Sequence, residues 1–585
     1  FANIADVYGH IEYVYNNGLV TTHIDQPITL HQNGIGYFSD LEDDLTLNSI
    51  TNHGMMDIDT IGVLSASVLD DIEANISGVI TISNTSATLY GLYHDILQNQ
   101  IDFALIDSYS GILTNLTNDQ IDATKLYQTG HLDLYSQNVL TNDLVNIAGV
   151  ALGENINFTH VRQTGDIEVF IDHATDLVTN PRLNVYGVFE SLSLGYHAEQ
   201  IVNTGDITLI KDGSMYVNYD VYISGILGYH KNDDTIYNEL SIFHNSIDIT
   251  DESGYLDTLL NDGNIYVRGD FDGSIRAAGI VLYNRSLLTN AINLGDIDIV
   301  NNIQTTNDEV EAAGIAYLMS GEFAQLKDTA NHGDIRVISN TSFGFAHAAG
   351  IAVRNDRLEN GNNLVQNTHD NERAKITFSI NYGNIFAYSN VNESGYTITN
   401  ETRSKAAGIF AIGLLSNINN VNYGNVYSKY LAAGIIGFIY YNRFGTVNYD
   451  EVYISNSMNY GKIRQITAYD SGLDQLTYNN TSTPPTNVQS GFGAIVGKFH
   501  TGTSTWQFVG DVNYPIDRIY FGYLLNFDDK IDMFASAPTP DASNFYDSEE
   551  LIDTFDNVIS GMLANMATTN PNDDSVPPFT EFTIL

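Results

Sequence analysis

The sequence predicts an all-β fold, a parallel β-helix or solenoid of stacked coils, and three observations lead to this prediction. Asn, any residue, Gly, a polar residue and then Ile or Val recur seven times between residues 203 and 463. A second motif, Ala-Ala-Gly-Ile, alternates with the first. No proline occurs between residues 182 and 483, as expected where strands must donate hydrogen bonds to their neighbours.

The first motif predicts a corner of each coil. Asn bonds locally to the backbone, and both Asn and Gly tolerate a positive φ, so the pair can turn the chain. The residues that follow, such as Asp-Ile-Thr-Leu at 206–209, alternate polar with apolar and predict a half-buried strand. Asparagines of successive coils are expected to bond to one another as a ladder. The predicted corner residues are Asn203, Asn261, Asn293, Asn331, Asn381, Asn422 and Asn459.

The second motif predicts a tightly packed wall, because its small residues leave little volume and let neighbouring backbone approach closely. It lies at 277–280, 312–315, 348–351, 406–409 and 432–435. Together the two motifs define units of about 36 residues, which correspond either to one broad turn or to two narrow turns of about 18 residues. The coil is expected to be right-handed, as parallel crossovers usually are.

Weaker copies of both motifs, for example 128–130 and 148–150, extend the array toward the N-terminus. Eight of the ten prolines follow residue 483. We therefore assign residues 1–500 to a β-solenoid repeat domain and residues 501–585 to a C-terminal capping or docking region. Polar inserts at 355–375 and 388–405 are expected to project as loops from one corner.

One amphipathic helix is predicted in the C-terminal region, over about 548–566. Asp-Ser-Glu-Glu at 547–550 resembles a capping box, and apolar residues follow at helical spacing from Leu551 to Met566. The helix is expected to cover the open end of the solenoid; the alternative is that it docks onto another subunit.

Charge and composition exclude several classes of function. The chain has 71 acidic and 23 basic residues, a formal net charge of −48 and no cysteine. Nucleic acid is not an expected partner, because phosphate binding needs clustered Lys and Arg. Disulfides and thiolate metal sites are excluded, and no transmembrane segment is expected because no apolar run is long enough. The chain opens without an initiator Met, so we expect a processed part of a longer, extracellular or cell-surface product.

Calcium is the one cofactor that the sequence leaves open. Asp270 and Asp272, separated by Phe271 and followed by Gly273, have the spacing of carboxylates in a calcium turn, which makes them candidate metal ligands. The alternative is that the acidic residues form a solvated surface that keeps a long β-stack from pairing sideways. No further ligand completes a known calcium loop around these two residues.

The alternation of a small-residue Gly element with Asn-x-Gly-x-Ile resembles the GLUG-type and haemagglutinin-like repeats of bacterial surface proteins, over roughly residues 10–500. The resemblance implies a β-solenoid on a secreted adhesin, a large surface protein or a fibre. This chain departs from the GLUG pattern by having Ala-Ala-Gly-Ile where a Gly-Gly-Leu-Val-Gly type of element is expected.

No catalytic residues are assigned from the sequence. It contains no Gly-x-Ser-x-Gly, His-Glu-x-x-His or Walker motif, and its 15 His are scattered. Arg276, Arg336 and Arg354 fall in different coils and do not mark one cluster by spacing. We therefore predict a non-enzymatic structural or adhesive protein, a subunit of a cell-surface layer, stalk or filament.

Two sets of alternatives accompany that prediction. The expected partners are copies of the same chain, in a homo-oligomer or a head-to-tail polymer, and surface glycans or a host or cell-surface protein. The rival function is a β-helix polysaccharide lyase or glycosidase, because a pair of catalytic carboxylates is not excluded in a chain so rich in Asp.

Overall fold

The structure is a computed structural model, and it describes the chain from residue 7 to residue 527 with gaps. The described residues are 7–12, 15–16, 20–24, 36–38, 41–52, 56–60, 108–110, 113–115, 121–128, 132–136, 144–153, 156–172, 182–192, 196–212, 220–230, 255–302, 309–320, 324–340, 344–356, 375–390, 404–413, 415–439, 452–479, 491–499, 519–521 and 524–527.

The described chain forms a parallel β-solenoid with four long sheets, which confirms the predicted fold class. We number the sheets in the order in which the chain enters them. The first sheet contains Val7–Glu12, Tyr15–Asn16, Leu41–Asn52, Ile121–Gln128, Ile156–Gln163, Ala198–Asn203, Leu256–Asn261, Leu287–Asn293, Gln325–Asn331, Lys375–Asn381, Ser416–Ile418, Val421–Asn422, Val452–Ser455, Ser457–Asn459, Ile519–Phe521 and Leu524–Asn526. The second contains Leu132–Ser136, Ile167–Asp172, Ile207–Asp212, Ile265–Gly269, Ile297–Asn301, Ile335–Ser339, Ile385–Ser389, Val426–Ser428, Ile463–Asp470 and Gln475–Asn479.

The third and fourth sheets complete each coil. The third contains Ser108–Ser110, Leu144–Ala148, Arg182–Tyr186, Asp220–Ser224, Ile275–Ala278, Glu309–Ala313, Phe345–Ala349, Ser404–Ala407, Leu431–Ala433 and Gly491–Gly493. The fourth contains Gly36–Phe38, Leu113–Asn115, Ala151–Gly153, Phe189–Leu192, Leu227–His230, Val281–Asn284, Ala316–Ser320, Ala352–Asp356, Phe410–Ile412, Ile436–Ile439 and Val496–Phe499. A small parallel pair, Val20–Ile24 and Met56–Thr60, lies outside these sheets.

Each repeat unit is one broad turn of four strands, so the alternative of two narrow turns is excluded. The coil from Leu287 to Ser320 visits the first, second, third and fourth sheets once each before the chain returns to the first sheet at Gln325. Equivalent asparagines are 32 residues apart between Asn261 and Asn293 and 50 residues apart between Asn331 and Asn381. The difference is taken up in the connections, because the strands stay in register.

The corner asparagines stack in a single buried row, which we call the asparagine column. Asn293 Nδ2 donates to the Gly295 carbonyl at 2.8 Å and to Asn331 Oδ1 at 2.8 Å, so both of its amide protons are used. The same pair of bonds recurs at Asn261 and Asn381. A buried amide is stabilising only when its donors and acceptor are satisfied, and the stack satisfies them. The predicted ladder is therefore confirmed.

The second motif has a distinct role for each of its residues. The first Ala, such as Ala312, points into the core between the second and third sheets, whereas Ile315 points into a second core between the first and fourth sheets. Ala313 faces outward. A Cβ on Gly314 would lie less than 3.0 Å from the Gly350 carbonyl oxygen and from Asn331 Oδ1. Glycine is therefore required at this position of the motif, because the backbone there lies directly against the asparagine column.

The strands of the first sheet share a bend that was not predicted from the sequence. Three residues before each described column asparagine from Asn203 to Asn459, a non-glycine residue has positive φ, for example Thr258 at 58° and Phe378 at 52°. Bulky L-residues rarely adopt this conformation, and it persists only where surrounding structure imposes it. At this bend the strand changes direction, so a single strand continues along the coil before and after the residue with positive φ.

A row of Asp and Asn follows the outer side of the same corner. Asp296 Oδ1 accepts the Asp334 backbone N–H at 2.7 Å, and Asp334 Oδ1 accepts that of Asn384 at 2.7 Å. Burial raises the pKa of Asp296, although the bond from Asp334 N–H works in the opposite direction. Part of the acidic content therefore serves to bond successive coils to one another.

Aromatic side chains occupy the middle position of the first motif at the C-terminal coils. The His332 and Tyr382 rings are 4.5 Å apart, those of Tyr382 and Tyr423 are 5.1 Å apart, and those of Tyr423 and Tyr460 are 4.7 Å apart. Phe527 stacks on Tyr460 at 4.2 Å. Offset stacking of this kind adds to the burial energy and supports the same register as the asparagine column.

A hairpin leaves the coil at the second sheet and lies along the outside of that sheet. Ile463–Asp470 and Gln475–Asn479 pair antiparallel, and Ile466 packs on Ile338 and Tyr388 of earlier coils. Near its tip, Asp474 forms ion pairs with Arg336 and, at 3.7 Å, with Arg268. The hairpin thereby ties coils together that are not neighbours in the stack.

We expect Asp474→Asn to loosen the hairpin tip while changing the free energy of unfolding by less than about 1 kcal/mol, because the ion pairs are partly exposed. Hydrogen bonding from Arg336 lowers the pKa of Asp474, so the carboxylate is charged at neutral pH. Limited proteolysis should then cut faster at Leu473, which is 67% exposed. The control is Lys327→Gln, which removes a charge on the first sheet. An unchanged cutting rate in Asp474→Asn, or the same acceleration in Lys327→Gln, would show that the Asp474 ion pairs do not hold the hairpin tip in place.

Several predictions fall at or beyond the edges of the described chain. Helix 548–566 lies outside the described residues. Strands Ile519–Phe521 and Leu524–Asn526 continue the first sheet, so stacking extends into the region assigned to the cap.

The two inserts leave different corners rather than one: residues 357–374 join the fourth sheet to the first, and residues 390–403 join the second to the third. No helix among the described residues is long and apolar enough to span a membrane.

Candidate functional site

The third and fourth sheets meet at a concave angle on the outside of the solenoid, and we call this feature the axial groove. Outward-facing side chains of both sheets pack against one another there. The tyrosine rings of Tyr222 on the third sheet and Tyr283 on the fourth are 6.1 Å apart. The floor consists of the second Ala of successive Ala-Ala-Gly-Ile motifs, Ala278, Ala313, Ala349 and Ala407. Small residues are needed on this floor because the larger side chains meet above it.

One wall of the groove carries titratable residues on four successive coils, which we call the polar column. Backbone register pairs Arg276 with Glu311, Glu311 with His347 and His347 with Lys405. Each directly precedes an Ala-Ala-Gly-Ile motif, and the alternation of the strand turns each toward the groove. Glu311 is 0% exposed, and His347 and Lys405 are each 1% exposed.

Hydrogen bonds connect the polar column along the axis. Lys405 Nζ lies 3.2 Å from His347 Nε2, and His347 Nδ1 lies 2.7 Å from Glu311 Oε1. Since a lysine ammonium only donates, Nε2 accepts a hydrogen bond from Lys405, and the Nδ1–H group donates to the carboxylate. Arg354 of the opposite wall donates to the same Glu311 oxygen and forms an ion pair with Glu309 at 2.8 Å. The buried Glu311 carboxylate is therefore paired with a guanidinium, and the buried Lys405 ammonium is hydrogen-bonded to the neutral His347 ring.

Arg276 extends the polar column toward the N-terminal coils. It donates to the Tyr222 hydroxyl, and its Nε lies 3.8 Å from Glu311 Oε2. Its guanidinium carbon is 5.1 Å from the Tyr222 ring centroid and 5.6 Å from that of Tyr317. Burial by itself lowers the pKa of Arg276, but electrostatic interaction with Tyr317 and Tyr222 outweighs it and raises the pKa above its ordinary value. The guanidinium therefore remains charged.

The tyrosines of the groove keep their hydroxyl protons. Burial raises the pKa of Tyr229 to about 12, and it also raises the pKa values of Tyr283 and Tyr317. A protonated phenol both donates and accepts a hydrogen bond, so these side chains present uncharged, two-way hydrogen-bonding groups beside the charged column.

His347 is the group in the polar column that stays neutral at a pH at which an ordinary histidine takes up a proton. Burial, followed by the neighbouring charge of Lys405, holds the pKa of His347 well below its ordinary value. Its ring is neutral at pH 7, in agreement with the assignment of Nε2 as an acceptor. Both ring nitrogens are engaged by protein groups, so the imidazole is not poised to take a proton from a substrate.

A metal ion does not fit the polar column. Glu309, Glu311 and His347 offer ligand atoms within 4.8 Å of one another, and no other such trio occurs among the described residues. Arg354 and Lys405 already bond to these atoms. The two cations repel a third, and they already engage one oxygen of each glutamate and one nitrogen of His347, which leaves Glu311 Oε2 as the carboxylate oxygen of Glu311 without a hydrogen bond.

The predicted calcium ligands lie elsewhere, in the connection between Ile265–Gly269 and Ile275–Ala278. Between Asp270 and Asp272, the Phe271 side chain is fully buried in the core of the second and third sheets. Its backbone N–H donates to Asn301 Oδ1 at 2.9 Å. Within the described part of the chain, neither aspartate belongs to a group of three potential metal ligands. Calcium binding there stays a prediction.

The groove also bears on the rival enzymatic function. A glycosidase needs one carboxyl that carries a proton and a second that is free to act on sugar or water. Glu309 and Glu311 lie close together, but both are ion-paired with Arg354. Arg276 and Arg354, which the sequence spacing did not connect, share Glu311, whereas Arg336 lies on the second sheet with Asp298.

We expect the stability of the chain to fall as the pH is lowered from 7 toward 5.5. An unfolded-state His takes up a proton near pH 6.5, and His347 in the folded state does not, so the unfolded state binds more protons and is favoured by acid. The slope per group is at most about 1.4 kcal/mol per pH unit. His347→Gln keeps a donor for Glu311 and an acceptor for Lys405 but does not titrate. Urea unfolding at several pH values should show a shallower slope in this variant; equal slopes would contradict the assignment.

Sequence reasoning missed the polar column, although a signal was present. The residue before Ala-Ala-Gly-Ile is Arg276, Glu311, His347 or Lys405 in four successive copies. A titratable residue at the same position of each copy indicates one column in a stack. Because the four residue types differ, the position does not stand out as a motif in the sequence.

The fold and the groove define a parallel β-solenoid with a charged, tyrosine-lined outer groove. Comparison of the chain with protein-family models, with curated proteins and with solved structures gave no match. The resemblance to GLUG-type and haemagglutinin-like repeats therefore remains a prediction from the motifs.

Proposed function

We propose that this chain is a non-enzymatic structural and adhesive protein of the cell exterior, a subunit of a surface layer, stalk or filament. The observation that carries the proposal is the asparagine column. Its side-chain bonds run without interruption from Asn203 to Asn526. Backbone register carries the same row back through Gln163, Gln128 and Asn52 to Asn16.

The column supports a mechanical role because it adds hydrogen bonds parallel to the axis of the solenoid. From Asn16 to Asn526 the row passes through eleven steps. At about 4.8 Å per step, the described stack is about 50 Å long. Coils are bonded to their neighbours in all four sheets, and we expect this bonding to stiffen the stack against bending.

The surface properties support the extracellular assignment. A net charge of −48 and a row of outward Asp at one corner keep long β-stacks from pairing sideways. The absence of cysteine means that burial and axial bonds hold the fold together. Connections of variable length at two corners give room for contacts with other cell-surface molecules.

Head-to-tail polymerisation follows from the same physics, since the end of a parallel stack presents unpaired strand groups that a second copy can satisfy. Electron microscopy of the purified chain, with and without calcium, tests this. We expect rods whose lengths are multiples of the single-chain length and increase with concentration. Particles that stay at single-chain length at high concentration in both conditions would contradict polymerisation, and compact round particles would contradict the rod.

A further inference from the structure

We propose that the axial groove is a binding site for an extended, uncharged polysaccharide. The inference rests on the adhesive role proposed above and assigns that role to a particular surface. It depends on three features of the described chain: a groove into which no insertion falls, walls whose exposed charges alternate in sign along the axis, and partly exposed tyrosine rings.

No insertion falls between the two walls of the groove, because the connection between the third and fourth sheets has the same length in each described coil. From Leu144–Ala148 onward, two residues, usually Gly and Ile or Val, separate every third-sheet strand from its fourth-sheet partner. Insertions occur instead at the other ends of these strands, as at 231–255 and 390–403. The variable connections begin at the outer ends of the strands that form the groove, and variable segments on a rigid scaffold are the usual place for binding surfaces.

Charges in the groove alternate from coil to coil. The partly or fully exposed residues Arg182, Asp220, Arg276, Glu309 and Arg354 follow one another along five successive coils, the first four on the third sheet and Arg354 on the fourth. Arg276 and Arg354 keep 19% of their side chains exposed. Each step along the axis is about 4.8 Å, close to the length of one sugar residue in an extended chain. A ligand that lies along the groove therefore contacts hydrogen-bond donors and acceptors in alternation.

Tyrosine rings supply the apolar contact surface that sugar rings need. Tyr229 and Tyr283 stack on each other at 4.8 Å and pack on the groove from its fourth-sheet wall, where both remain partly exposed. Arg182 lies over Tyr222 at 4.7 Å and is itself exposed. Aromatic faces bind the apolar C–H faces of sugars, and the protonated hydroxyls bond at their edges.

An uncharged ligand fits this arrangement better than an acidic one. The guanidinium groups of Arg276 and Arg354 are already paired with Glu311, so they offer remaining N–H donors but little uncompensated charge. The net charge of −48 also repels a polyanion. Sugar hydroxyls both donate and accept, and that matches a wall on which donors and acceptors alternate.

Titration calorimetry with the whole chain tests the proposal. The probes are neutral hexasaccharides of 1,4-linked glucose, mannose and N-acetylglucosamine, together with a 1,4-linked galacturonate hexamer. We expect at least one neutral probe to bind and the galacturonate to bind at least about tenfold more weakly. Tyr283→Ala should lower the association constant for the neutral probe about tenfold, and Tyr283→Phe, which keeps the ring, should lower it less.

The matched control is Tyr266→Ala. Tyr266 is 39% exposed and lies under Arg268 at 4.1 Å, the same pairing as in the groove, but on the second sheet. Its loss should leave the association constant unchanged. No binding of any neutral probe, tighter binding of galacturonate, or equal effects of Tyr266→Ala and Tyr283→Ala would each overturn the proposal. If rods are still seen by electron microscopy in any of these cases, the proposed structural role is retained although polysaccharide binding is not. Failure of the binding proposal can therefore be distinguished from failure of the structural proposal.

Discussion

Asn331→Asp should destabilise the solenoid by about 3–5 kcal/mol at pH 7, the cost of an unpaired buried charge. In the folded chain Asn331 Nδ2 donates to the Gly333 carbonyl and to Asn381 Oδ1, both at 2.8 Å. A carboxylate of the same shape has no proton for either oxygen and faces both with a negative charge. Urea unfolding of the two proteins at pH 7 measures the loss.

The pH dependence of this variant supplies a second measurement. A buried carboxyl surrounded by oxygen acceptors is expected to have a raised pKa, so the folded state binds a proton more readily than the unfolded state does. Stability is then lost as the pH rises through that pKa and regained as it falls. The difference between variant and parent should therefore shrink from pH 7 to pH 5.

Asn425→Asp is the control for the same chemical change at the same corner. Asn425 belongs to the outer row, where Asp296 and Asp334 already occupy equivalent positions, and its Oδ1 accepts the Lys462 N–H at 3.0 Å. An aspartate keeps this bond and loses the one that Asn425 Nδ2 donates to Asn384 Oδ1 at 2.9 Å. Because the site is partly solvated, we expect a change of about 1 kcal/mol or less. Equal losses from Asn331→Asp and Asn425→Asp would show that burial in the asparagine column is not what matters.

Gly350→Ala should cost about 3 kcal/mol or more, because it overpacks backbone that has nowhere to move. The added Cβ would lie less than 3.0 Å from the Gly408 carbonyl oxygen and from the Asn381 amide group. One methyl group thus pushes apart two coils and disturbs the asparagine column together with them. We expect a lower thermal midpoint and faster amide hydrogen exchange in the coils on both sides of residue 350.

Gly472→Ala is the matched control, since the same methyl group is added where there is room. Gly472 lies in the hairpin turn, and the nearest atom to its added Cβ is Asp470 Oδ1 at 3.4 Å, an ordinary contact. The substitution should change stability by less than about 0.5 kcal/mol. If Gly350→Ala is tolerated as well as Gly472→Ala, the wall is not packed against the asparagine column in solution.

The corner motif could be predicted because its requirements are local. Asn203 and its equivalents are followed two residues later by Gly and then by alternating apolar residues, and each of these preferences belongs to a short segment. Repetition then implied that equivalent asparagines lie on top of one another. The step from repeat to stack needed no knowledge of the connections, which is why inserts such as 357–374 did not disturb it.

The groove could not be predicted in the same way. Glu311 meets Arg354 and His347 only because two sheets meet at a concave angle, and that angle depends on the packing of two separate cores. Among the left-handed residues of the first sheet, Thr258 and Phe378 have no local preference for that conformation and are held in it by the coil, whereas Asn290 and Asn419 are of a type that adopts it more readily.

The sequence by itself therefore determined the parallel β-stack, the row of corner asparagines and the acidic character of the surface, because these follow from short-range preferences that recur along the chain. Only the tertiary structure decided that a coil is one turn of four strands, that the glycine wall lies against the asparagine column, and that four unlike residues form one buried polar column. Those features depend on the distances between segments far apart in sequence, and short-range preferences carry no information about such distances.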